Sequence, residues 1–501
     1  MIEAATQAAA ALVSPERIAF LFIGVVMGLI LGAIPGLGGL IGLTILIPFT
    51  FDFDPTVALP MLIGLLAVNT TSDTIPGVLF GVPGTAASQA TILDGYPMAQ
   101  RGEAGRAFGA AYMASMLGGI FGAVVLAVSI FVLGPLVLAF ESPEFFMLGI
   151  FGITMVGTLS GKFPLRGISI GFFGLLLAMI GLDPQIGLPR WTFNSIYLLD
   201  GLPLITVALG IFAIPEIADM VIKGTQIADV PKEALGGRAE GIRDAFRNWA
   251  LVLRGSAMGV WIGAIPGLGG SVVDWFAYGQ ARQTCKGASE TFGKGDVRGV
   301  IAPECANNAK DGGALIPTIL FGIPGSGSMA VLLVAFMIMG LKPGPAMITT
   351  QLDKTYLMIW SLAVANVFGT GICLFFTPQL AKVASIRIHL LAPVVVVVVF
   401  LAAFQATRSL GDLVALIVFS LLGWSMKRAG WSRPPLILGL VLGSIIETRL
   451  YISLQLHGAG FLLRPVVLVI LLLIIATVGY GAFQERRSKQ QWVKVPVRDE
   501  D

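Results

Sequence analysis

The eight residues GAIPGLGG occur twice in this chain, at 32–39 and again at 263–270. Each copy interrupts a long apolar stretch, 18–49 in the first case and 249–281 in the second. Proline and repeated glycine break an α-helix. Non-helical backbone at membrane depth is tolerated only where it is buried in protein or lines a cavity. The two copies therefore predict a pair of broken helices or re-entrant turns inside a membrane protein.

The composition of the whole chain supports this interpretation. Of the 501 residues, 56% are hydrophobic and only 12% are charged, against about 25% charged in ordinary soluble domains. The mean hydropathy is +0.87. A soluble protein cannot cover that much apolar surface, so soluble enzymes, nucleic-acid binders and disordered scaffolds are excluded. The formal net charge of +3 is too small to indicate an anionic macromolecular partner.

Other segments repeat in the same order as GAIPGLGG, which indicates two homologous halves. The matches, offset by roughly 230–240 positions, are LFGVPGT (79–85) with LFGIPGS (320–326), PLITVALGIFAIPE (203–216) with PLILGLVLGSIIE (435–447) and, more loosely, Asn69–Asp73 with Asn307–Asp311. The sequence thus predicts an all-α polytopic membrane protein of about 10–14 transmembrane or re-entrant helical segments, in two repeats with glycine- and proline-broken helices.

Loop charges predict that the two repeats are inverted. Basic residues concentrate in cytoplasmic loops. Placing the basic tail in the cytoplasm puts the loop at 427–434 inside and its counterpart at 183–191 outside. The predicted organisation is an N-terminal segment (1–17), a first transmembrane repeat (18–222), a cytoplasmic linker (223–248), a second transmembrane repeat (249–464), an extra terminal span (465–483) and a basic cytoplasmic tail (484–501).

The broken segments also supply the candidate substrate site. Glycine lets the backbone approach a ligand closely, and the N-terminus of a half-helix offers N–H groups and a positive dipole end to an anion. The alternatives are close helix packing, a plain turn or a capped loop. The candidate substrate-binding residues are Gly36, Gly38, Gly39, Pro83, Gly84, Thr85, Ser88, Gly267, Gly269, Gly270, Pro324, Gly325, Ser326 and Ser328.

Polar side chains that interrupt the apolar sequence before each hairpin predict a cation site. Carboxylate, amide and hydroxyl oxygens are the ligands that hard cations prefer, and an ionisable residue at membrane depth is a functional candidate. The alternative for the asparagine pair is helix capping. The predicted sodium ligands are Asn69, Thr70, Thr71, Asp73, Asn307 and Asn308.

Nearby charged residues are weaker candidates. Lys310 can pair with Asp311, bind an anionic substrate or extend toward solvent. Glu216 and Glu447 end matching segments, and structural roles are expected for both.

Inverted repeats favour a secondary transporter with alternating access. A polytopic membrane enzyme is disfavoured because HExxH is absent and the chain has two histidines. A passive channel is the remaining alternative. No cofactor is expected.

Taken together, these motifs resemble the large membrane subunit of the tripartite tricarboxylate transporters, the TctA family. The paired GAIPGLGG segments carry the resemblance, with NTTSD (69–73) followed by GVPGTAAS (81–88), and PECANNAKDGG (303–313) followed by FGIPGSGS (321–328). It covers roughly residues 15–480.

The resemblance implies a multi-pass protein of the bacterial inner membrane that imports small di- and tricarboxylates such as citrate. It implies two partners, a small membrane subunit of about four spans and a periplasmic substrate-binding protein. It also implies a coupling ion gradient, sodium or proton, and no nucleotide-binding domain. A stand-alone organic-anion transporter or exporter of the same fold is the alternative.

Overall fold

The computed structural model describes residues 1–36, 38–85, 87–159, 163–183, 185–223, 236–268, 270–384 and 388–493. These residues are overwhelmingly helical. The two strands in this part of the chain, β1 (Gly181–Leu182) and β2 (Pro189–Arg190), pair antiparallel. The predicted all-α architecture is therefore confirmed.

Twelve helices lie in the described residues of the first half and the linker. They are α1 (Ile2–Leu12), α2 (Pro15–Ala33), α3 (Gly39–Leu46), α4 (Pro55–Ser72), α5 (Thr74–Phe80), α6 (Gln89–Gln100), α7 (Ala104–Leu138), α8 (Ser142–Leu159), α9 (Pro164–Ala178), α10 (Leu204–Ala208), α11 (Ile214–Lys223) and, in the linker, α12 (Arg238–Arg247). Short 3₁₀ turns lie at Ile47–Thr50 and Ile196–Leu198, and a π-helical turn at Leu209–Ala213 joins α10 to α11.

The second half contains the remaining helices. They are α13 (Trp249–Gly263), α14 (Gly270–Thr284), α15 (Ala288–Thr291), α16 (Val297–Phe321), α17 (Gly327–Ile338), α18 (Pro345–Ile348), α19 (Leu352–Ala384), α20 (Ile388–Gln405), α21 (Leu410–Arg428), α22 (Pro434–His457) and α23 (Pro465–Val493), with a 3₁₀ turn at Gly458–Leu463. Helix α23 spans the predicted terminal segment and continues into the predicted tail.

Seven helical segments in the described part of the chain are long and apolar enough to cross a membrane, and five shorter apolar helices accompany them. Together they fall within the predicted range. Two of the short ones, Gly39–Thr50 and Gly327–Ile338, directly follow the glycine- and proline-rich segments. The breaks predicted from the sequence are therefore real ends of half-length helices.

The two halves repeat the same helix packing. Glycines of α2 contact backbone carbonyls of α4, and glycines of α13 contact backbone carbonyls of α16. A Cβ added at these glycines would lie only 2.2–2.4 Å from a carbonyl oxygen, which leaves no room for a side chain. The pairs are Gly28–Leu65 and Gly32–Asn69 in the first half, and Gly259–Ala306 and Gly263–Lys310 in the second.

This packing fixes which residues of the two halves are equivalent. Gly28 and Gly259 differ by 231 positions, whereas Leu65 and Ala306 differ by 241. Lys310 is therefore the counterpart of Asn69, and the predicted pairing of Asn307 with Asn69 is wrong by three residues. The sequence comparison aligned the polar residues by residue type. The register is instead set by which side of α16 packs against the glycines of α13.

The equivalent helices α7 and α19 run antiparallel where they touch. The hydroxyl of Thr370 donates to the carbonyl of Tyr112 at 3.2 Å. Further along α7, Gly119 lies against Asn366. Residue numbers thus rise along one helix as they fall along the other, which is the relation that inverted repeats require.

The ends of the two repeats interlock. Helix α9 of the first repeat packs on α22 of the second, where Gly174 lies against the carbonyl of Leu436. Helix α21 of the second repeat packs on the π-helical turn of the first, where Gly423 lies against the carbonyl of Ile211. Each repeat therefore completes its apolar packing with helices of the other.

The glycine contacts give a stability prediction. Gly28→Ala and Gly259→Ala should each lower the free energy of unfolding by about 1–3 kcal/mol, because the new methyl group meets backbone that cannot move aside. Gly371→Ala, in α19 with nothing within 4 Å of the added Cβ, is the matched control and should be neutral or slightly stabilising. Melting midpoints in detergent test this, and equal midpoints for all three variants would contradict the packing.

Candidate functional site

A cavity of about 510 Å³ lies between the two repeats, at the level of the broken helices. The predicted substrate residues that line it are Gly36, Gly38, Gly39, Gly84, Thr85, Ser326 and Ser328. Pro83, Ser88, Gly267, Pro324 and Gly325 are described but do not line it. Gly269 lies outside the described residues, and Gly270 is placed only as helix backbone. The site is thus built mainly from the first GAIPGLGG copy and the two hairpin segments.

The broken segments are joined by the same backbone hydrogen bond in both halves. Helix α5 ends at Phe80 and is capped by Gly81, which lies in the left-handed region at φ +66°, and the chain then folds back so that Gly84 packs against Asp73. The N–H of Gly36 then donates to the carbonyl of Gly84 at 2.9 Å. In the second half, the N–H of Gly267 donates to the carbonyl of Gly325 at 3.3 Å. These bonds satisfy backbone groups that neither broken helix can pair internally.

Two half-helices begin at the cavity. Helix α3 starts at Gly39 and α17 starts at Gly327, and both residues line the wall. The first-turn N–H groups of a helix have no acceptor within the helix and carry its positive dipole end. Ser326 caps α17 by accepting from the N–H of Met329 at 3.3 Å. The arrangement suits a small anion held from two sides.

Polar side chains complete the wall. The hydroxyl of Thr85 donates to the carboxylate of Asp73 at 2.5 Å. The carboxamide of Asn69 lies so close to α3 that a Cβ on Gly39 would be 3.2 Å from its Oδ1. Lys310 donates to Asp311 at 2.8 Å, and both residues line the cavity. Of the roles considered for Lys310, the pair with Asp311 is the one observed.

An ion pair that the sequence did not assign to the site also lines the cavity. The guanidinium of Arg433 donates to the carboxylate of Glu216 and, at 3.1 Å, to the carbonyl of Ile211. Lys427 donates to the other oxygen of Glu216 at 2.6 Å. The sequence analysis did not identify Arg433 as a site residue. The available signal was the position of this basic residue next to the repeated PLI segment.

The counterpart of Glu216 is held in a reciprocal way. Glu447 of the second repeat accepts two hydrogen bonds from Arg190 of the first, at 2.5 and 3.1 Å. Glu216 of the first repeat is bonded to residues of the second. Each glutamate thus joins its own repeat to the other one, which is the structural role expected, and Glu216 additionally forms cavity wall.

The start of α6 is occupied differently from the start of α17. Asp274 of α14 is buried, and its Oδ2 accepts from the N–H of Ala90 at 3.0 Å. Ser88 is also buried and donates to the carbonyl of Thr85 at 3.2 Å. The α6 N-terminus therefore faces a carboxylate of the protein itself, whereas the N-termini of α3 and α17 open on the cavity.

The six predicted sodium ligands do not form one cluster, although Asn69 and Thr70 both line the cavity. A buried hydrogen-bond network contains three of them, Thr70, Thr71 and Asn308, together with Ser115 and Asn366. Asn308 Nδ2 donates to Asn366 Oδ1 at 2.5 Å and to Ser115 Oγ at 3.0 Å. Thr71 Oγ1 bonds Ser115 Oγ at 3.2 Å, and Thr70 Oγ1 donates to Asn308 Oδ1 at 3.4 Å. This network ties α4, α7, α16 and α19 together.

The other three predicted ligands lie apart from that network. Asn69 faces the cavity, and Asp73 bonds Thr85. Asn307 is buried, and neither atom of its amide has a partner among the described residues.

The contact at α6 gives a second stability prediction. Asp274→Ala should lower the free energy of unfolding by about 1–3 kcal/mol, because it leaves the buried N–H of Ala90 without an acceptor. Asp274→Asn retains an acceptor oxygen and serves as the matched variant, with a smaller loss. Chemical denaturation of the three proteins in detergent tests this, and indistinguishable stabilities would refute the cap.

The chain is similar in sequence to curated proteins of Agrobacterium vitis. A curated protein of Agrobacterium vitis, described as the uncharacterized 52.8 kDa protein in TAR-I ttuC' 3'region, is 30% identical over 495 residues, covering 96% of both chains. A second A. vitis protein, the uncharacterized protein in TAR-II ttuC' 3'region, is 30% identical over 237 residues, which are 47% of this chain and 98% of that one. No solved structure matches the chain significantly.

The family comparison covers most of the chain. The tripartite tricarboxylate transporter TctA family matches residues 18–438, which include the GAIPGLGG copies, the hairpin segments and Arg433. TctA is a family of transporters, not of enzymes. With its apolar helices and its cavity between inverted repeats, this multi-pass membrane protein belongs to the tripartite tricarboxylate transporter TctA family.

Proposed function

We propose that this chain is the large transmembrane subunit of a binding-protein-dependent secondary transporter that imports small di- or tricarboxylates, such as citrate, across a bacterial inner membrane. Its partners are a small four-span membrane subunit and a periplasmic substrate-binding protein. The energy comes from a sodium or proton gradient. Membership of a tripartite transporter family supports the presence of further components.

The observation that carries the substrate class is the pair of helix N-termini at the cavity. Gly39 and Gly327 begin α3 and α17 at its wall, beside the hydroxyls of Thr85, Ser326 and Ser328. A substrate with two or three carboxylates places one at each helix start and leaves the rest of the molecule between them. The cavity, at about 510 Å³, is within the range of small-molecule sites.

The charged residues of the wall fit the same substrates. Lys310 and Arg433 are cationic, and each is already bonded to an acidic residue, Asp311 and Glu216. An incoming carboxylate competes for these donors, since arginine binds carboxylates in a bidentate way. Binding thereby loosens the link between Arg433 and the first repeat, which couples substrate to the contact between the repeats.

The experiment reconstitutes the chain with its small subunit in proteoliposomes. Uptake of labelled citrate and a panel of di- and tricarboxylates is measured with and without the binding protein, under imposed sodium or proton gradients. Uptake that needs the binding protein and follows one gradient is the expected result. Uptake without the binding protein would favour a stand-alone transporter, and flux that ignores every gradient would indicate a channel.

A single hydroxyl gives a sharper prediction. Ser328→Ala should raise the apparent KM for the carboxylate roughly fivefold with little change in expression, because it removes about one hydrogen bond to the anion, near 1 kcal/mol. Ser420→Ala is the matched control, since its hydroxyl donates to the carbonyl of Leu416 on its own helix, at 2.6 Å, and Ser420 does not line the cavity. An unchanged KM in Ser328→Ala would remove α17 from the binding site.

A further inference from the structure

The segment that joins α9 to α10 contains the two strands, and its residues 181–196 are called the outer hairpin below. Its side chains have the reverse of the polarity that a loop in water shows. The two charged residues turn toward the protein, where Arg190 donates to Glu447 at 2.5 Å and lies 3.2 Å from Asp183. None of the exposed residues in the described part of the hairpin is charged. The exposed large apolar residues are Leu182, Ile186, Leu188, Trp191, Phe193 and Ile196.

Helix α22 gives the depth of the outer hairpin. Helices α9 and α22 run side by side in the same direction, since Gly439 lies against the carbonyl of Gly171 and Gly443 lies against Ala178. Glu447, one turn beyond Gly443, is the residue that holds Arg190. From Glu447, α22 continues for ten more residues to its end at His457, a rise of about 15 Å.

The water-exposed level lies near that end of α22. Beside His457, the guanidinium of Arg464 donates to Glu141 at 2.5 Å, and the side chain of Glu141 is mostly exposed. Exposed charges of this kind belong in water or among headgroups, not in hydrocarbon. The contact between Arg190 and Glu447 therefore lies about 15 Å below this level, within the thickness of one leaflet.

The length of α9 leads to the same depth. Its 15 residues rise about 22 Å, which is less than the hydrocarbon core of about 30 Å. Arg166 in its first turn marks the end near the inner surface, so the outer end of α9 stops short of the opposite one. Phe172, Phe173 and Leu176 of α9 are exposed to lipid, and the exposed apolar side chains of the hairpin continue this surface.

The backbone at the tip of the outer hairpin is paired without water. The N–H of Asp183 donates to the carbonyl of Leu188, and the N–H of Gly187 donates to the carbonyl of Asp183, both at 2.9 Å. The carboxylate of Asp183 accepts from the N–H groups of Gln185 and Ile186, at 2.8 and 3.1 Å. Non-helical backbone is tolerated at membrane depth only where such groups are paired, and the tip meets this condition.

The aromatic residues of the outer hairpin are held outward by an unusual backbone. Trp191, Phe193 and Asn194 all have positive φ, a conformation that is strained for bulky side chains. Phe193 is 87% exposed and Trp191 is also exposed. Tryptophan and other aromatic side chains favour the boundary between hydrocarbon and headgroups.

We propose that the outer hairpin is embedded in the outer leaflet, with Trp191 and Phe193 at the boundary between acyl chains and headgroups, so that lipid covers its apolar face. A soluble protein that binds and leaves would expose this uncharged apolar surface to water in every cycle. Lipid covers it permanently and continues the lipid-facing surface of α9. Because Arg190 reaches Glu447, the embedded hairpin anchors α22 of the second repeat together with α9 of the first.

The test uses the full chain alone in phosphatidylcholine nanodiscs and does not depend on the proposed transport. Single cysteines are introduced by Ile186→Cys or Phe193→Cys in a Cys285→Ser background, because the other two cysteines are buried, and are labelled with the fluorophore NBD. Asp353→Cys, at an exposed position, is the water-side control. Leu472→Cys, exposed on the apolar helix α23, is the membrane control.

Depth is read with lipids that carry a quenching doxyl group at carbon 5 or at carbon 12 of the acyl chain. Both hairpin labels should emit at shorter wavelength than the Asp353→Cys label and lose at least half of their emission with the carbon-5 quencher. The carbon-12 quencher should act more weakly on them than on the Leu472→Cys label. Elution and melting midpoint confirm that each labelled protein is folded.

The opposite pattern would overturn the lipid contact. If both folded hairpin variants emit like the Asp353→Cys control, escape the lipid quenchers and are quenched by iodide from the water, the hairpin lies above the membrane. Its apolar face would then belong to a protein partner. Loss of carboxylate uptake in the transport assay, with lipid quenching intact, would count against the proposed function alone.

Discussion

The obligation to pair every backbone polar group at membrane depth governs this structure. Each repeat breaks two helices, and each break exposes N–H and carbonyl groups far from bulk water. Two backbone hydrogen bonds satisfy part of this requirement, from Gly36 to Gly84 and from Gly267 to Gly325. Each of them joins one broken segment to the other within its repeat. Groups left over at the starts of α3 and α17 face the cavity. The features that make the chain hard to fold in lipid are thus the ones that supply a polar site between the repeats.

Much of this fold could be predicted from the sequence because proline and glycine mark the positions where its helices break. The duplicated GAIPGLGG and FGxPG motifs give the repeats, and the loop charges give their inversion. The detailed register could not be obtained, since it depends on which side of α16 meets Gly259 and Gly263. Matching Asn307 to Asn69 by residue type therefore slipped by three positions, nearly one helical turn.

The candidate site was predictable only in part for a similar reason. Backbone motifs such as those at Gly38 and Thr85 lead directly to the cavity. Arg433 reaches its position through contacts between the repeats, and no local sequence pattern indicates such contacts. Asp274 shows the limit most clearly, because a helix start that resembles an anion site in sequence is capped by a carboxylate from 184 positions away. Only the packing of α14 on α6 reveals it.

The interlocked ends of the repeats carry a historical consequence. Helix α9 completes its packing on α22, and α21 completes its packing on the turn before α11, so neither repeat buries its apolar faces alone. A single-repeat ancestor would have required a second copy of itself, inserted into the membrane in the opposite direction. In such a dimer of identical chains, every polar position would have occurred twice. Fusion into one chain lets equivalent positions differ, as they do at Asn69 and its counterpart Lys310.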